Sequence, residues 1–243
     1  MDSKASVKTW RLISTTLIVL LASGIAAGKT IYVDATKNGD GSSWANAYRH
    51  LQDGLAAAAG GDEIWVAQGT YNPDASLADP NGSGDRTATF DLISGIKLYG
   101  GFPTGGGLWA DRDPGTSPTI LSGDLNGDDV GFTNNGDNSR HVVTTSYVDP
   151  NTVLDGFIIT GGNADGSGID GYGGGTSNYQ SSPTIKNCTF TTNTATKRGG
   201  ALFSKQSGPI VTNCIFSGNS AANAAGAMYN QNSTPTVTNC VFT

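Results

Sequence analysis

The sequence has few charged residues and few of the residues that build helices. Charged residues make up 14% of the chain, and Glu63 is the only glutamate among its 20 acidic residues. A helical bundle needs Glu, Lys, Leu and Ala on its faces, whereas aspartate and glycine favour turns and caps. The chain has 35 glycines. This composition argues against a helical bundle and predicts an all-β protein rich in turns.

Sequence motifs of catalysis are also absent. The chain contains two histidines, His50 and His141, which share no motif, and no GxSxG, Walker or HExxH pattern. It has three cysteines but no CxxC pair or Cys/His cluster of the kind that binds zinc. The sequence therefore assigns no catalytic residue.

The first 27 residues have the pattern of a secretory signal peptide. Three basic residues precede an apolar run at residues 12–22, and small residues follow up to Gly28. The run is too short and too poorly flanked for a membrane span. We expect cleavage near Ala27 or Gly28, and the alternative is a retained N-terminal anchor. The sequence thus predicts a secreted protein with no transmembrane helix in the mature chain.

The mature chain predicted in this way is acidic. Residues 28–243 hold 11 basic and 19 acidic residues, a net charge of −8. Phosphate contacts need clustered Lys and Arg, so this charge argues against nucleic acid as a partner. It is compatible with cations and with neutral glycans.

A repeat of 26 residues occupies the C-terminal part of the chain. The phrase Asn-Cys-x-Phe begins at Asn187, Asn213 and Asn239, and a proline precedes each copy by four residues. The density of Pro, Gly, Asn and Thr excludes helix pairs, and the Leu-x-x-Leu-x-Leu pattern of leucine-rich repeats is absent. The remaining architecture is a parallel β-helix, a solenoid in which each coil of about 26 residues consists of short strands and turns.

The phase of the repeat predicts a bend at its asparagine. Strict alternation from Ile185 would place Asn187 inside and Cys188 and Phe190 outside, so a bend at residues 186–187 is needed to return both to the interior. We expect the asparagines to stack as a ladder of amides, and ordinary turn asparagines are the alternative. The cysteines are expected to form a ladder of buried thiols. A disulfide between neighbouring coils is the competing interpretation.

Upstream of residue 151 the period is lost, but strand patterns continue. One amphipathic helix is predicted at residues 46–59, where it would cap the first open coil. We expect a signal peptide at 1–27, an N-terminal cap with the first coils at 28–89, and the β-helix at 90–243, truncated at its C-terminus because the sequence stops within a coil. Strands are predicted at 30–34, 63–67, 90–102, 119–122 and 141–144, and long loops at 72–86 and 103–118.

The strongest polar cluster lies in the segment Gly-Asp-Leu-Asn-Gly-Asp-Asp, residues 123–129. Alternating Asp and Asn oxygens are the ligands that Ca²⁺ prefers, so this segment resembles the first half of a calcium loop. The twelfth position holds Asn135 and not the bidentate Glu of such loops, which leaves a solvated Asp/Gly turn as the alternative. Calcium is the one cofactor that the sequence suggests, and its candidate ligands are Asp124, Asn126, Asp128 and Asp129.

Two motifs in the repeat carry a resemblance to a known family. Phe190–Asn193 and Phe216–Asn219 both read FxxN, and Gly199–Leu202 reads GGA[IL]. Together they resemble the polymorphic outer-membrane protein repeat of bacterial surface adhesins and autotransporter passengers. The segment 31–71 is similar to the entry segment of pectate-lyase-like β-helix proteins. The resemblance implies a right-handed parallel β-helix, export, and often a location on the outer surface of a bacterium, and it implies no catalytic residues.

The function expected from these observations is non-catalytic. We expect a secreted or outer-surface β-helix module that acts in adhesion or as a structural stalk, with a glycan or cell-surface partner. The alternative is a carbohydrate-active β-helix enzyme, a polysaccharide lyase or hydrolase on acidic glycans. Lyase chemistry needs a base such as Lys or Arg beside acids. Lys197 and Arg198 are instead interpreted as solvated turn charges, because the next coil has Asn223 and Ala224 in their place.

Overall fold

The computed structural model describes residues 28–243, so the predicted signal peptide lies outside the described residues. Within that range the regular secondary structure is almost entirely β-strand, with one α-helix, α1 (Leu51–Ala57), and short 3₁₀ turns at Trp109–Asp111, Asn135–Asp137 and Gly168–Gly171. The strands in chain order are β1 (Thr30–Val33), β2 (Glu63–Ala67), β3 (Gly69–Tyr71), β4 (Phe90–Leu92), β5 (Lys97–Phe102), β6 (Thr119–Ser122), β7 (Val143–Ser146), β8 (Val153–Asp155), β9 (Phe157–Thr160), β10 (Asn163–Ala164), β11 (Thr176–Tyr179), β12 (Thr184–Lys186), β13 (Thr189–Thr191), β14 (Thr194–Ala195), β15 (Leu202–Lys205), β16 (Ile210–Thr212), β17 (Ile215–Ser217), β18 (Ser220–Ala221), β19 (Met228–Gln231), β20 (Thr236–Thr238) and β21 (Val241–Phe242).

These strands form four parallel sheets. Their strand orders are β1-β2-β5-β8-β12-β16-β20, β3-β6-β9-β13-β17-β21, β4-β7-β11-β15-β19 and β10-β14-β18. In the C-terminal part each residue pairs with the residue 26 positions further on, as Ile185 does with Val211 and Phe190 with Phe216. The prediction of an all-β protein with parallel strands is therefore confirmed.

The seven-, six- and five-stranded sheets each place a row of side chains in a shared hydrophobic core. In the seven-stranded sheet this row is aliphatic from end to end: Ile31, Ile64, Leu98, Leu154, Ile185 and Val211 are in register, and all are buried. In the six-stranded sheet Phe190, Phe216 and Phe242 stack with ring centroids 4.8 and 4.9 Å apart, the spacing of neighbouring strands. The interior thus consists of rows of similar side chains, one from each repeat.

The bend expected at the repeat asparagine is confirmed. Asn187, Asn213 and Asn239 have φ of 54°, 55° and 53°, the left-handed conformation that asparagine tolerates better than most residues. Beyond the bend Cys188 and Phe190 are buried as predicted. All three cysteines are free, but only Cys188 and Cys214 are buried and Cys240 is half-exposed, so the predicted ladder of buried thiols is confirmed for the first two.

The asparagine side chains at the bend form only part of the expected ladder. Asn213 donates its amide to Oδ1 of Asn187 at 3.3 Å, at an exposed position. Asn187 donates to Oδ1 of Asp155 at 2.8 Å. The left-handed backbone, more than the amide contact, explains why asparagine recurs here.

Replacing Asn213 by leucine tests that explanation. We expect a loss of about 1–2 kcal/mol in the free energy of unfolding, because leucine lacks the short polar side chain whose local hydrogen bonds let asparagine adopt the left-handed conformation. Asn213→Gly, which adopts that region without strain, is expected to lose no more than about 0.5–1 kcal/mol. Urea unfolding of both variants measures the difference. Equal losses would show that the amide contact, and not the backbone conformation, stabilises the bend.

The N-terminal region differs in detail from the prediction. The helix covers Leu51–Ala57 and not residues 46–59, because Tyr48 is extended and forms a parallel bridge with Val33. The single strand predicted at 90–102 is two strands, β4 and β5, separated by a turn at residues 93–96. The helix packs its buried side chains, Leu51 and Leu55, onto the start of the seven-stranded sheet. None of the helices in the described range has the length and apolar character needed to span a membrane.

The predicted loop at residues 103–118 is fixed to the outer side of the seven-stranded sheet. Trp109 lies against Trp65 and Tyr99, with ring centroids 5.4 and 4.8 Å apart. Arg112 donates from Nε to the carbonyl of Gly100 at 2.6 Å and forms an ion pair with Asp155 at 2.9 Å. This buried ion pair ties the non-periodic half of the chain to the first strand of the periodic half.

Candidate functional site

Two polar regions stand out in the structure, an acidic loop and a basic groove. The acidic loop, residues 123–139, leaves the sheet directly after β6. Both carboxylate oxygens of Asp124 accept backbone N–H groups of the loop itself, from Gly127 at 2.7 Å and from Asp128 and Asp129 at 3.2 Å. Asp124 therefore shapes the loop as well as supplying charge.

The acidic loop brings together three of the four predicted calcium ligands. One oxygen each from Asp124, Asp128 and Asp129 lies within 4.8 Å of the others. Asn126, the fourth predicted ligand, is exposed. Burial raises the pKa of the Asp129 carboxyl, and the neighbouring carboxylates, those of Asp124 and Asp137 foremost, raise it further.

Buried oxygen atoms in the same loop have no hydrogen-bond partner among the described residues. These include Oδ1 of Asp129 and Oδ1 of Asn138, whose side chain is almost wholly enclosed with 1% of the residue exposed. The Asn138 side-chain nitrogen donates to Oδ2 of Asp129 at 2.6 Å and to the carbonyl of Gly161 at 2.7 Å. The side-chain oxygen, Oδ1, is therefore the atom of this amide that has no partner. A cavity of about 230 Å³, lined in part by Asp124, Asp129 and Gly161, adjoins these groups. Unsatisfied buried oxygens beside a cavity are the arrangement that a cation or water would complete.

Sequence reasoning missed Asp137 and Asn138 as members of this cluster. The calcium-loop pattern ends at its twelfth position, Asn135, whereas these residues return to the cluster through the 3₁₀ turn at Asn135–Asp137. The density of Asp and Asn over residues 124–138 was the available signal.

The second region lies on the outer face of the five-stranded sheet. The inward positions Thr145, Asn178 and Ser204 are buried and hydrogen-bonded across the strands. Thr145 donates from Oγ1 to Oδ1 of Asn178 at 2.8 Å, and Asn178 donates from Nδ2 to Oγ of Ser204 at 3.4 Å. The alternate positions face outward and carry hydroxyls, rings and a lysine. Two adjoining cavities of about 530 and 320 Å³ share Ile169 and Lys205. We call them together the basic groove, and its lining includes Tyr172, Ser177, Tyr179, Lys197, Lys205 and Gln231.

Each cation at the basic groove lies over an aromatic ring. The distance from the charged group to the ring centroid is 5.1 Å for Lys197 over Tyr172 and 5.7 Å for Lys205 over Tyr179. Arg198 lies 4.9 Å from the centroid of Tyr229 and donates to its hydroxyl at 2.7 Å. Lys197 and Arg198 are half-exposed, so they reach solvent as the sequence indicated, and each also lies against a ring.

The two histidines line different cavities. His141 borders the basic groove, where its Nδ1 lies 2.9 Å from the carbonyl oxygen of Gly173. Burial lowers the pKa of His141 below the ordinary value, which favours the neutral imidazole. His50 borders a cavity of about 200 Å³ near the helix, and burial lowers its pKa as well.

Comparison with known proteins adds no relative: no family model, no curated protein and no solved structure matches the chain. The resemblance to the polymorphic outer-membrane protein repeat therefore depends on Gly199–Leu202 and the two FxxN motifs, and it stays a prediction.

Proposed function

We propose that this chain is a right-handed parallel β-helix of the polymorphic outer-membrane protein repeat type, exported to the outer surface of a bacterium, where it acts without catalysis in adhesion or as a structural stalk. The pairing of residues 26 apart, in every sheet of the C-terminal part, supports one coil per repeat. The helix α1, packed on the first strand of the seven-stranded sheet, supports a capping role for the N-terminal segment.

One observation carries the structural role: the recurrent polar side chains bond to the neighbouring repeat. Ser207 accepts the backbone N–H of Ser181 at 3.1 Å, and Ser233 accepts that of Ser207 at the same distance. Oδ1 of Asn219 likewise accepts the backbone N–H of Asn193 at 3.1 Å, and it also accepts the side-chain amide of Asn193 at 3.0 Å. Residues used for such bonds are not free for chemistry, and the bonds make a stiff body on which loops are displayed.

A carbohydrate-active enzyme, a lyase or hydrolase on acidic glycans, is the second candidate. It is favoured by one feature of the basic groove, where His141, Asp170 and Lys205 line a single cavity. A lyase needs a base beside a group that neutralises the substrate carboxylate, and Lys205 could serve in the latter role. Asp170, however, lies 3.9 Å from Arg140, and His141 is bonded to the backbone.

Incubating the full chain, purified after export, with a panel of uronate polymers at saturating calcium separates the two candidates. The proposed function predicts no unsaturated product above the level of a buffer blank. Turnover that is abolished by Lys205→Ala and kept by Lys37→Ala, a control at a distant half-exposed lysine, would replace the proposal by the enzyme.

We also propose that the acidic loop binds Ca²⁺, on the basis of the three converging carboxylates and the unsatisfied oxygens of Asp129 and Asn138. Calcium at a hundredfold excess over its dissociation constant is expected to raise the free energy of unfolding by about 2.7 kcal/mol. Thermal unfolding with calcium and with chelator measures the effect.

The pH dependence of Asp129→Asn gives a sharper test of the acidic loop. Because the folded-state pKa of Asp129 is raised, its ionisation destabilises the fold above that pKa and has no effect below the unfolded value of 3.8. In chelator, the variant is therefore expected to be more stable than the parent at pH 7, with the advantage vanishing near pH 4. With calcium we expect the parent to be more stable than the variant. Asp40→Asn, an exposed control, is expected to be insensitive to calcium, and a parent stabilised no more than Asp129→Asn by calcium would contradict the site.

A further inference from the structure

The charges of this protein are segregated along the chain. All 20 acidic residues lie before residue 171, and residues 171–243 contain four basic residues and no acidic one. Lys186 is paired with Asp155 at 3.3 Å. The other three, Lys197, Arg198 and Lys205, form no ion pair with any described residue, so a positive surface exists on a protein that is acidic as a whole.

These three cations belong to one surface, and their positions are fixed. Lys197 and Lys205 line the same cavity of the basic groove, and Arg198 follows Lys197 directly in the chain. Lys197 also donates from Nζ to the carbonyl of Gly168 at 2.7 Å. The rings beneath them are themselves packed, since Tyr172 stacks on Phe203 with centroids 4.7 Å apart. Side chains held in this way lose little freedom when they bind a ligand.

The rest of the lining is mostly neutral and rich in hydrogen-bonding groups, although the hydroxyl of Thr144 donates to the carboxylate of Asp91 at 2.9 Å. Hydroxyls come from Thr144, Ser146, Ser177 and Tyr179, and an amide comes from Gln231. Asp170 is the one carboxylate that lines the two cavities, and it faces Arg140 at 3.9 Å. Sparse positive charge, many hydroxyl partners and exposed ring edges suit a chain of sugar rings that carries occasional anionic groups.

We propose that the basic groove binds a linear acidic polysaccharide, with Lys197 and Lys205 contacting its anionic groups. This inference rests on the proposed role as a non-catalytic surface module and names the partner of that module. Nucleic acid fits the groove less well, because a polymer with a charge on every unit is repelled by the strongly acidic remainder of the protein. An acidic peptide fits less well because the groove crosses a sheet face whose backbone is already paired, so it offers no open strand edge.

Isothermal titration of the full chain with alginate, dextran sulfate, neutral dextran and polyglutamate tests the proposal. We expect binding of alginate or dextran sulfate that weakens as salt is raised, and the stronger of the two identifies carboxylate or sulfate as the anionic group. The double variant Lys197→Gln/Lys205→Gln is expected to bind about tenfold more weakly, a loss of about 1.4 kcal/mol, because it removes two screened charge contacts. Lys37→Gln, a half-exposed lysine outside the groove, is expected to bind like the parent.

Several results would overturn the inference. These are the absence of binding to both acidic polysaccharides, undiminished binding by the double variant, and equal or tighter binding of polyglutamate, which would indicate an acidic protein partner. Lys197→Arg/Lys205→Arg keeps the charge and is expected to restore binding, which separates loss of charge from loss of folding. Polysaccharide binding with turnover would overturn the non-catalytic function and leave the assignment of the groove intact, so the two proposals fail separately.

Discussion

Asn193→Leu is expected to lower the free energy of unfolding by about 3–4 kcal/mol, because it removes a buried amide that serves several backbone groups at once. Oδ1 of Asn193 accepts the N–H of Gly162 at 3.0 Å, and its Nδ2 donates to the carbonyls of Ile159 at 2.9 Å and Thr191 at 3.0 Å. The residue has no exposed surface. Leucine has the same branching but is larger and satisfies none of these groups, and each one left unpaired in the interior costs about 1–3 kcal/mol.

The repeat supplies matched controls for Asn193→Leu. Asn219, one repeat further on, donates to the carbonyls of Phe190 at 2.9 Å and Ser217 at 3.2 Å, but it is partly exposed, so its replacement by leucine is expected to cost less. Asn223 is exposed, and Asn223→Leu is expected to stay within about 0.5 kcal/mol of the parent. Chemical denaturation gives all three values. Similar losses at Asn193 and Asn223 would show that the buried amide is not what stabilises the repeat.

The asparagines of the repeat show how much of the fold can be predicted from the sequence. The 26-residue interval fixes which residues pair across the strands, and the change in apolar alternation at Asn187 locates the left-handed bend. Both follow from local rules of strand geometry. The sequence did not show which of the recurring asparagines would be buried. It is the asparagine of FxxN and not that of Asn-Cys-x-Phe. Both recur with the same interval, and they differ only in the direction in which the backbone points their side chains.

The candidate sites were less predictable because they combine residues from unrelated segments. The basic groove joins Tyr172, which follows the 3₁₀ turn at Gly168–Gly171, with Lys197 and Lys205 of the next repeat. Each lysine alone resembles a solvated charge, and only the count of acidic residues after residue 170 indicates a positive surface. The acidic loop was located from its first seven residues, whereas Asn138 reaches the carboxylate cluster only through the folding of the loop. In the non-periodic half there is no interval from which such contacts could be inferred.

The ion pair between Arg112 and Asp155 is the clearest contact of that kind, since no motif relates residues 43 positions apart. Only 10% of the arginine side chain and 4% of the aspartate side chain are exposed. Asp155 also faces the ammonium group of Lys186 at 3.3 Å and accepts the amide of Asn187 at 2.8 Å. One carboxylate therefore holds the loop at residues 103–118, the seven-stranded sheet and the first bend of the repeat together.

Asp155→Ala is accordingly expected to destabilise the protein by about 3–5 kcal/mol, because it leaves the guanidinium of Arg112 buried without a counter-charge. Glu63→Ala removes an ion pair of similar length, 3.2 Å to Lys97, but a more exposed one with 31% and 39% of the side chains accessible. Its expected cost is about 0–1 kcal/mol.

The double variant Arg112→Met/Asp155→Leu separates the unpaired charge from the lost contact. It buries no isolated charge, so it is expected to be more stable than Asp155→Ala, although it removes more of the native interaction. Equilibrium unfolding in urea of the two single variants and the double variant gives the comparison. A double variant as unstable as Asp155→Ala would mean that the hydrogen bonds of Asp155 to the bend and the loop, and not the neutralisation of Arg112, join the two halves of the chain.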